Sequence, residues 1–313
     1  VDRRGARSDW GRPLTPRRAR RVRVRAHAKV NTVLRVLGLR EDGYHELQTV
    51  FRALAVHDTL TVTEYDGPLR VTADDPGCPT DEGNLVWRAA TAVWRASGRR
   101  GTPSGVRCHL TKRLPLQAGL GGGSSDAAAA LRALSCVWAP RLEETALYAI
   151  ARTLGADVPY FLLGGTAFGV QRGDVVYAVA EPPRQWVVLV RPRRGVSTAE
   201  AFGWWDADTA GVRARGLLPA AAVVTDPSAV VNDLEAPVRA RRPEVGRLLA
   251  RLRRGGAAHV AMSGSGSAVF ALVATRASAV ALADAMQGAE QDVWVTRTLS
   301  AQEYQRASAP RLL

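Results

Sequence analysis

Apolar and polar residues alternate along the first part of the chain, which is typical of strands with one buried face. Val and Ala alternate with Arg and His between residues 22 and 28, and a longer apolar segment follows at once. Elsewhere, apolar residues recur at helical spacing. The predicted strands are 22–28, 30–37, 47–54, 59–63 and 106–111, and the predicted helices are 84–97, 125–137 and 142–154.

The pattern changes after residue 165, where strands and helices mix without a regular alternation. Residues 206–230 show only weak periodicity. A hairpin is predicted around Arg172-Gly173-Asp174; the other strands are predicted at 186–190, 259–262, 268–273 and 293–296, with helices at 243–253 and 277–286. This mixture favours an α+β fold of two layered domains. We expect a basic disordered tail at 1–21, one domain at 22–165 and a second at 166–313.

The net charge of +14 raises the question of nucleic-acid binding. Residues 1–21 hold eight arginines against two aspartates, so the tail alone supplies much of the excess. The remainder is spread over the rest of the chain, which has no RNP-type aromatic pattern. A nucleic-acid-binding protein therefore remains the non-enzyme alternative, but a nucleic-acid partner is not expected.

The three cysteines form no CxxC pair, which argues against a disulfide framework or a zinc site. A reducing compartment fits this pattern, so we expect a cytoplasmic protein. No apolar run approaches the length of a membrane span, and no apolar stretch follows the basic N-terminus as in a secretory signal. No membrane partner is expected, and the sequence makes no prediction of oligomeric state.

Only two of the 43 basic residues are lysines, Lys29 and Lys112. Two interpretations are open at this point. The two lysines mark sites that need a compact ammonium group, or they persist by chance at surface positions.

The segment from Pro115 to Ala130 carries the strongest chemical signal. Four of the five residues 119–123 are glycines, and an alanine-rich helix follows directly. Free amides at the helix start and the helix dipole predict a phosphate site, while Ser124 and Ser125 offer hydroxyls to phosphate oxygens or to Mg²⁺. A flexible linker would have loose polar flanks, and the Gly-Lys-Ser/Thr ending of a Walker loop is missing.

This segment resembles the ATP-binding motif of the GHMP kinases. Two other segments agree in order and content: Ala28-Lys29-Val30-Asn31 resembles the N-terminal motif of that family, and Met262 to Ser267 resembles its C-terminal glycine loop. The resemblance implies a domain like the second domain of ribosomal protein S5, followed by a ferredoxin-like domain. It also implies ATP as substrate and Mg²⁺ as cofactor.

Within that family, residues 40–47, 155–161 and 232–235 resemble the 4-diphosphocytidyl-2-C-methyl-D-erythritol kinases. These act in non-mevalonate isoprenoid precursor biosynthesis. The resemblance implies transfer of the ATP γ-phosphate to the 2-hydroxyl of a cytidine diphosphate-linked sugar alcohol. A homoserine or mevalonate type of GHMP kinase is the alternative enzyme. His27 departs from the family, which usually has Pro there.

The resemblance makes Asp157 the catalytic base and places Lys29 beside it. From the residues alone, Asp157 is a helix N-cap before Val158-Pro159, and Lys29 is an exposed lysine of an edge strand. A carboxylate can act here because the proton of the attacking hydroxyl leaves late in phosphoryl transfer.

Further site residues follow from the same resemblance. Those for ATP are Pro115, Gly119, Leu120, Gly121, Gly122, Gly123, Ser124, Ser125, Lys112 and Asn84, with Ser124 or Ser125 as the candidate Mg²⁺ ligand. Those for the second substrate are Asn31, Tyr44, His45 and Phe202. Tyr44 and Phe202 would stack on opposite faces of the cytosine, and His45 would hydrogen-bond to it.

Overall fold

The structure is a computed structural model and describes residues 19–139, 142–209 and 230–313. The strands are β1 (Arg21–Leu39), β2 (His45–Pro68), β3 (Arg70–Ala73), β4 (Ser104–Thr111), β5 (Thr166–Gln171), β6 (Val175–Ala178), β7 (Trp186–Pro192), β8 (Val231–Asn232), β9 (His259–Met262), β10 (Val269–Val273), β11 (Gln291–Arg297) and β12 (Arg311–Leu312). The helices are α1 (Leu85–Ala96), α2 (Gly122–Trp138), α3 (Glu144–Leu154), α4 (Val158–Leu163), α5 (Thr198–Thr209), α6 (Glu235–Arg241), α7 (Pro243–Arg254), α8 (Arg276–Ala285) and α9 (Ala301–Ser308).

The first sheet is built around two long antiparallel strands. In the described residues its order is β12-β1-β2-β4-β3; β5 and β6 continue from the first half of β2, and β8 adds to β1. The alternating pattern of β1 works as predicted, because Val22, Val24 and Ala26 are buried while the arginines between them are exposed. Helices α1 and α2 cover the buried face with their apolar side chains.

The predicted break between two N-terminal strands is a β-bulge within one strand. The pairing of β1 with β2 steps from His27–His57 to Lys29–Ala53, so several residues of β2 bulge out opposite Ala28. A bulge bends a strand and redirects the side chains beyond it. Lys29 is the first residue past this bulge. The apolar alternation continues from Val22 through Ala28 to Val30, so the local pattern does not report the bulge.

The second sheet has the strand order expected of a ferredoxin-like domain. Its strands run β11-β7-β10-β9, which is fourth, first, third and second in chain order, and all pairs are antiparallel. Helices α5 to α7 lie between the first two of these strands in sequence, and α8 lies between the last two. Apolar residues of α7 and α8 pack with the sheet in one core.

The predicted boundary at 165/166 does not coincide with the boundary between the two sheets. Strand β5 pairs with β2, and β6 pairs with β5, so residues 166–178 belong to the first sheet. The chain also returns: β12 pairs with β1, and the buried Tyr304 of α9 donates to the carbonyl of Phe161 at 2.7 Å. Sheet membership depends on pairing between distant segments, which local periodicity does not report.

The predicted tail reaches too far into the chain. Residues 1–18 lie outside the described residues, but Arg21 begins β1, and the Arg20 amide donates to Glu64. Of the predicted weak segment 206–230, residues 206–209 end α5 and 210–229 lie outside the described residues. In the described part of the chain, no helix combines the length and apolarity needed to cross a membrane.

Candidate active site

The glycine loop ends in an exposed helix start. Helix α2 begins at Gly122, three residues before the predicted start, because Gly121 adopts φ 71° and turns the chain into the helix. The first hydrogen bond of this turn joins the Ser125 amide to the Gly121 carbonyl at 2.8 Å. The amides of Gly122, Gly123 and Ser124 donate to no group in the described residues. These amides and the dipole of α2 together form an anion site.

A second glycine loop, residues 263–267, packs directly on the first. The Ser263 hydroxyl donates to the Gly119 carbonyl at 2.9 Å, and the Ala268 amide donates to the Ala118 carbonyl at 3.2 Å. A Cβ on Gly119 would overlap the Ser263 carbonyl, and Gly119 has φ 72°. This position therefore tolerates only glycine. The second loop supports the first, as the resemblance implies.

Lys29 and Asp157 form an ion pair beside the glycine loop. The Lys29 ammonium lies 3.4 Å from a carboxylate oxygen of Asp157 and donates to the Asn31 side chain at 2.6 Å. Lys29 is buried, so its assignment as an exposed edge-strand lysine is wrong, whereas the Asp157 side chain is 31% exposed. Asp157 stands at the N-cap position of α4 but makes no capping hydrogen bond. Its carboxylate is free to meet a ligand.

The anion site and the Asp157 carboxylate lie on the same side of the molecule. The Lys29 amide donates to the Leu120 carbonyl at 3.0 Å, which joins β1 to the loop. A Cβ on Gly121 would lie 3.2 Å from the Lys29 side chain, and one on Gly264 would lie 3.1 Å from the Lys29 ammonium. Lys29 therefore bridges both glycine loops and Asp157. A phosphate on the loop amides would lie within reach of this cation.

The two serines of the motif differ in their surroundings. Ser125 is 1% exposed, and its hydroxyl has no hydrogen-bond partner in the described residues. A buried hydroxyl without a partner costs free energy, which a bound phosphate or cation would recover. Ser124 is half-buried, and its hydroxyl lies close to Gly155, two residues before Asp157. Both hydroxyls fit a metal ion that arrives bound to phosphate.

Lys112 is buried between two carboxylates under the loop. Its ammonium hydrogen-bonds to Asp58 and, at 2.6 Å, to Asp126 of α2. The other oxygen of Asp58 accepts from the amides of Arg113 and Leu114 at 2.5 Å and 2.8 Å. This cluster of Asp58, Lys112 and Asp126 fastens the entry of the glycine loop to its exit. The surface-lysine interpretation of Lys112 is therefore wrong.

One ammonium does not balance two carboxylates. Burial raises the pKa of Asp126 to about 7, with the negative charge of Asp58 adding to the shift and Lys112 opposing it. The pKa of Lys112 is raised by Asp126 and Asp58 against its desolvation. Asp126 is the carboxylate that takes up a proton more readily. One of its oxygens has no partner in the described residues, whereas Asp58 accepts hydrogen bonds from backbone amides.

Asn84 is the N-cap of α1. Its side chain accepts from the Val86 amide at 2.8 Å and donates to the Pro79 carbonyl at 2.5 Å. A cavity of about 350 Å³ opens at the entry of the glycine loop; Lys112, Leu114, Pro115 and Trp294 are among its lining residues. Leu120 is buried in the core, so only its backbone faces the site.

The predicted aromatic clamp is not preformed. His45 lies on Phe202 with ring centroids 4.6 Å apart, and its Nε2–H donates to the Asp206 carboxylate at 2.7 Å. Tyr44 is 55% exposed, and the Arg172 guanidinium lies 4.9 Å from its ring centroid. His45 covers a face of Phe202 in this arrangement, so the stacking of Tyr44 and Phe202 on opposite faces of a cytosine stays a prediction.

Sequence reasoning missed the groups that hold the site together. Asp58 and Asp126 give no periodic signal, although the rarity of lysine in this chain indicates that each lysine has buried carboxylate or amide partners. Asn232, quoted only for its resemblance, donates to the Met262 and Gly264 carbonyls at 2.8 Å each. It therefore fixes the second glycine loop, and the neighbouring Asp233 accepts from the Val36 amide of β1 at 3.0 Å.

Comparison with known protein families identifies the family of this chain. The model for the GHMP kinases N terminal domain matches residues 84–165, and the model for the GHMP kinases C terminal domain matches residues 224–291. The chain belongs to the GHMP kinase family, with the S5-like and ferredoxin-like domains that the motifs implied.

Within that family, the chain is similar to the 4-diphosphocytidyl-2-C-methyl-D-erythritol kinases. The relative of that name from Exiguobacterium sibiricum is 38% identical, with 88% of this chain and 97% of the relative covered. The one from Moorella thermoacetica is also 38% identical, with 88% and 98% covered. A solved 4-(cytidine 5'-diphospho)-2C-methyl-D-erythritol kinase is 36% identical at a TM-score of 0.73, covering 88% of this chain and 98% of its own.

A more distant structure shares the fold alone. Homoserine kinase from Cytophaga hutchinsonii is 17% identical, with a TM-score of 0.66 over 96% of this chain and 99% of its own.

Replacement of Gly119 by alanine should disrupt ATP binding. The new Cβ would push the first glycine loop away from Ser263 and misplace the amides of α2. We expect the KM for ATP to rise by at least about tenfold, since a contact of roughly 1.4 kcal/mol is lost. Steady-state ADP release measures it. Gly101→Ala is the matched control, because Gly101 has φ 73° with nothing within 4 Å of its Cβ position. An equal rise in both variants would show that backbone strain, not the contact, matters.

Loss of the buried ammonium should destabilise the fold. Lys112→Gln leaves two carboxylates uncompensated, so we expect the free energy of unfolding to fall by about 3–5 kcal/mol in urea titrations. Adding Asp126→Asn should recover part of this loss, because one negative charge is removed. The neighbouring Arg113→Gln is the control, since Arg113 is exposed. Additive effects of Lys112→Gln and Asp126→Asn would contradict the cluster.

Proposed function

We propose that this chain transfers the γ-phosphate of ATP to the 2-hydroxyl of 4-diphosphocytidyl-2-C-methyl-D-erythritol, giving the 2-phosphate and ADP in non-mevalonate isoprenoid precursor biosynthesis. The observation that carries the chemistry is the Lys29–Asp157 pair beside the free amides of α2. The substrate rests on the similarity to relatives of that name, which extends over nearly nine-tenths of the chain.

The glycine loop would hold the phosphates of ATP. The amides of Gly122, Gly123 and Ser124 point out of the helix start, where the dipole of α2 also favours negative charge. Lys29, which lies beside Gly121, would contact the terminal phosphate and offset charge in the transition state. Pro115, Lys112 and Asn84 would lie toward the nucleoside, near the cavity at the loop entry.

Asp157 would receive the proton of the acceptor hydroxyl. The oxygen of that hydroxyl forms a bond to the γ-phosphorus as the bond to the bridging oxygen of ADP breaks, and the proton passes to the carboxylate late in the step. Asn31 fixes the Lys29 ammonium, and Thr49 in turn accepts from Asn31 at 2.7 Å. Lys29 thereby holds Asp157 close to the anion site.

We infer that Ser124 or Ser125 ligates the Mg²⁺ that accompanies ATP. The buried hydroxyl of Ser125 lacks any partner in the described residues, and Ser124 faces the Asp157 side of the loop. When bound, Mg²⁺ would neutralise phosphate charge and orient the terminal phosphate. We place the enzyme in the cytoplasm, which agrees with three free cysteines.

The cytidine end of the substrate would bind at Tyr44, His45 and Phe202. Because His45 covers Phe202, either His45 turns away to hydrogen-bond the base, or the base stacks on Tyr44 alone. Stacking of a base on an aromatic ring contributes roughly 1–3 kcal/mol, enough for the nucleotide to serve as a handle.

A panel of acceptors tests the proposed substrate. ADP release with ATP should be observed with 4-diphosphocytidyl-2-C-methyl-D-erythritol and should stay at background with homoserine, mevalonate and galactose. Turnover of only one of the last three would reject the substrate and leave the ATP site standing. Those acceptors lack a cytosine, so they cannot use the aromatic site.

Asp157→Asn should keep ATP binding and lose turnover. The amide preserves shape but cannot take the proton, so we expect kcat to fall by about 10²–10⁴ while the Kd for ATP changes little. Kinetics and calorimetric titration of ATP separate the two. Asp284→Asn in α8 is the control, because Asp284 is exposed. Near-normal turnover of the Asp157 variant would remove this residue from the mechanism.

A further inference from the structure

The face of the first sheet that points away from α1 and α2 gathers arginines from distant parts of the chain. Register places Arg21 opposite Thr63, Thr63 opposite Arg107, and Arg107 opposite Arg70, so one row crosses four strands. Directly opposite residues in a sheet point to the same side. The six arginines of this arginine face are Arg21, Arg23, Arg25, Arg70, Arg107 and Arg311.

Nothing on this face balances the positive charge. In the described part of the chain, none of the six guanidinium groups forms an ion pair with a carboxylate. The positions paired with these arginines or lying between them on β2, β3 and β4 hold Thr59, Thr61, Thr63, Thr72, His109 and Thr111. The acid next in sequence, Glu64, alternates with Thr63 and so lies on the other face.

The face is shaped as a trough. Short threonines of β2 form its floor, with the arginines of β1 along one side and Arg107, His109 and Arg70 along the other. A cavity of about 470 Å³ occupies it, lined by Arg21, Arg107 and Thr61 among others. The two sides are separated by two strand spacings, about 9.6 Å. This width fits a single extended anionic backbone.

We propose that the arginine face binds single-stranded nucleic acid through its phosphates. Guanidinium and hydroxyl donors suit phosphate oxygens. The Arg107 and Arg70 guanidinium groups lie over the Tyr65 ring at the end of the trough, 5.1 Å and 5.9 Å from its centroid, and a base can stack on such planar cations. This departs from the prediction that nucleic acid is not a partner.

Charge and composition select this occupant over others. A second copy of the face would repel the first, because both carry six unpaired arginines. The facing positions of these strands present no apolar side chain that could enter a bilayer. The six arginines are spread along several strands, so the arginine face suits a ligand longer than one phosphate group.

Fluorescence anisotropy with a labelled oligouridylate of about 16 nucleotides tests the proposal on the full chain. We expect saturable binding. The logarithm of the observed association constant should fall linearly with the logarithm of the salt concentration. Arg23→Thr with Arg107→Thr should weaken binding at least about tenfold and reduce the salt slope by about 1.4, the value for two lost phosphate contacts on a single strand. ADP release should not change, because neither residue lies in the active site.

The matched control removes two charges elsewhere. Arg254→Thr with Arg276→Thr changes exposed residues of the second sheet's helices and should leave binding nearly intact. Equal weakening in both double variants, or undiminished binding in the trough variant, would overturn the proposal, because net charge or the segment 1–18 would then account for it. If the first variant misfolds, Arg21→Thr with Arg70→Thr serves instead. Preference for duplex, or binding of phosphatidylserine vesicles without binding of the oligonucleotide, would also reject it.

Discussion

The contact between Gly119 and the Ser263 carbonyl constrains the rest of the active site. It packs a loop of the first sheet against a loop of the second so closely that a side chain at position 119 would overlap the Ser263 carbonyl. The amides of α2 then take their direction from that contact, since the loop has little freedom between Gly119 and the helix start. Lys29 closes the arrangement, because its amide bonds to Leu120 while its ammonium reaches Asp157. The anion site is thus assembled from backbone before any ligand arrives.

Buried charged groups fix the geometry of this site, and burying them costs free energy. Both lysines of the chain are buried, and each is held by carboxylate or amide oxygens: Lys29 by Asp157 and Asn31, Lys112 by Asp58 and Asp126. An ammonium is compact enough to bond several oxygens within such narrow spaces, whereas a guanidinium is planar and larger. Desolvating these ions is costly, and only complete pairing offsets that cost. The interpretation that lysine persists where arginine does not fit agrees with both sites.

Local chemistry explains how much of this was visible in the sequence. The helix that follows Asn84, the helix after the glycines and the alternation in β1 are short-range features, so their prediction was confirmed. The bulge before Lys29, the sheet membership of β5 and β6, and the carboxylate partners of Lys112 depend on residues distant in sequence: Lys112 is 54 positions from Asp58, and β5 pairs with a strand more than 100 positions earlier. No periodic signal encodes such pairings. The cover of His45 on Phe202 is similar, because α5 brings Phe202 and Asp206 to a strand that begins more than 150 residues earlier.

The arginine face is also formed by pairing between distant strands, and it lies away from the active site. Along the chain, arginines at 21, 70, 107 and 311 are too far apart to suggest a site. Strand register collects them on one face, and the core of the first sheet lies on the opposite face of the same strands. The apolar alternation that buries Val22 and Val24 therefore necessarily exposes their neighbours together. Strand pairing therefore converts an excess of arginine in the sequence into a positive electrostatic potential on one face of the sheet. That potential can attract an anionic ligand independently of the kinase site.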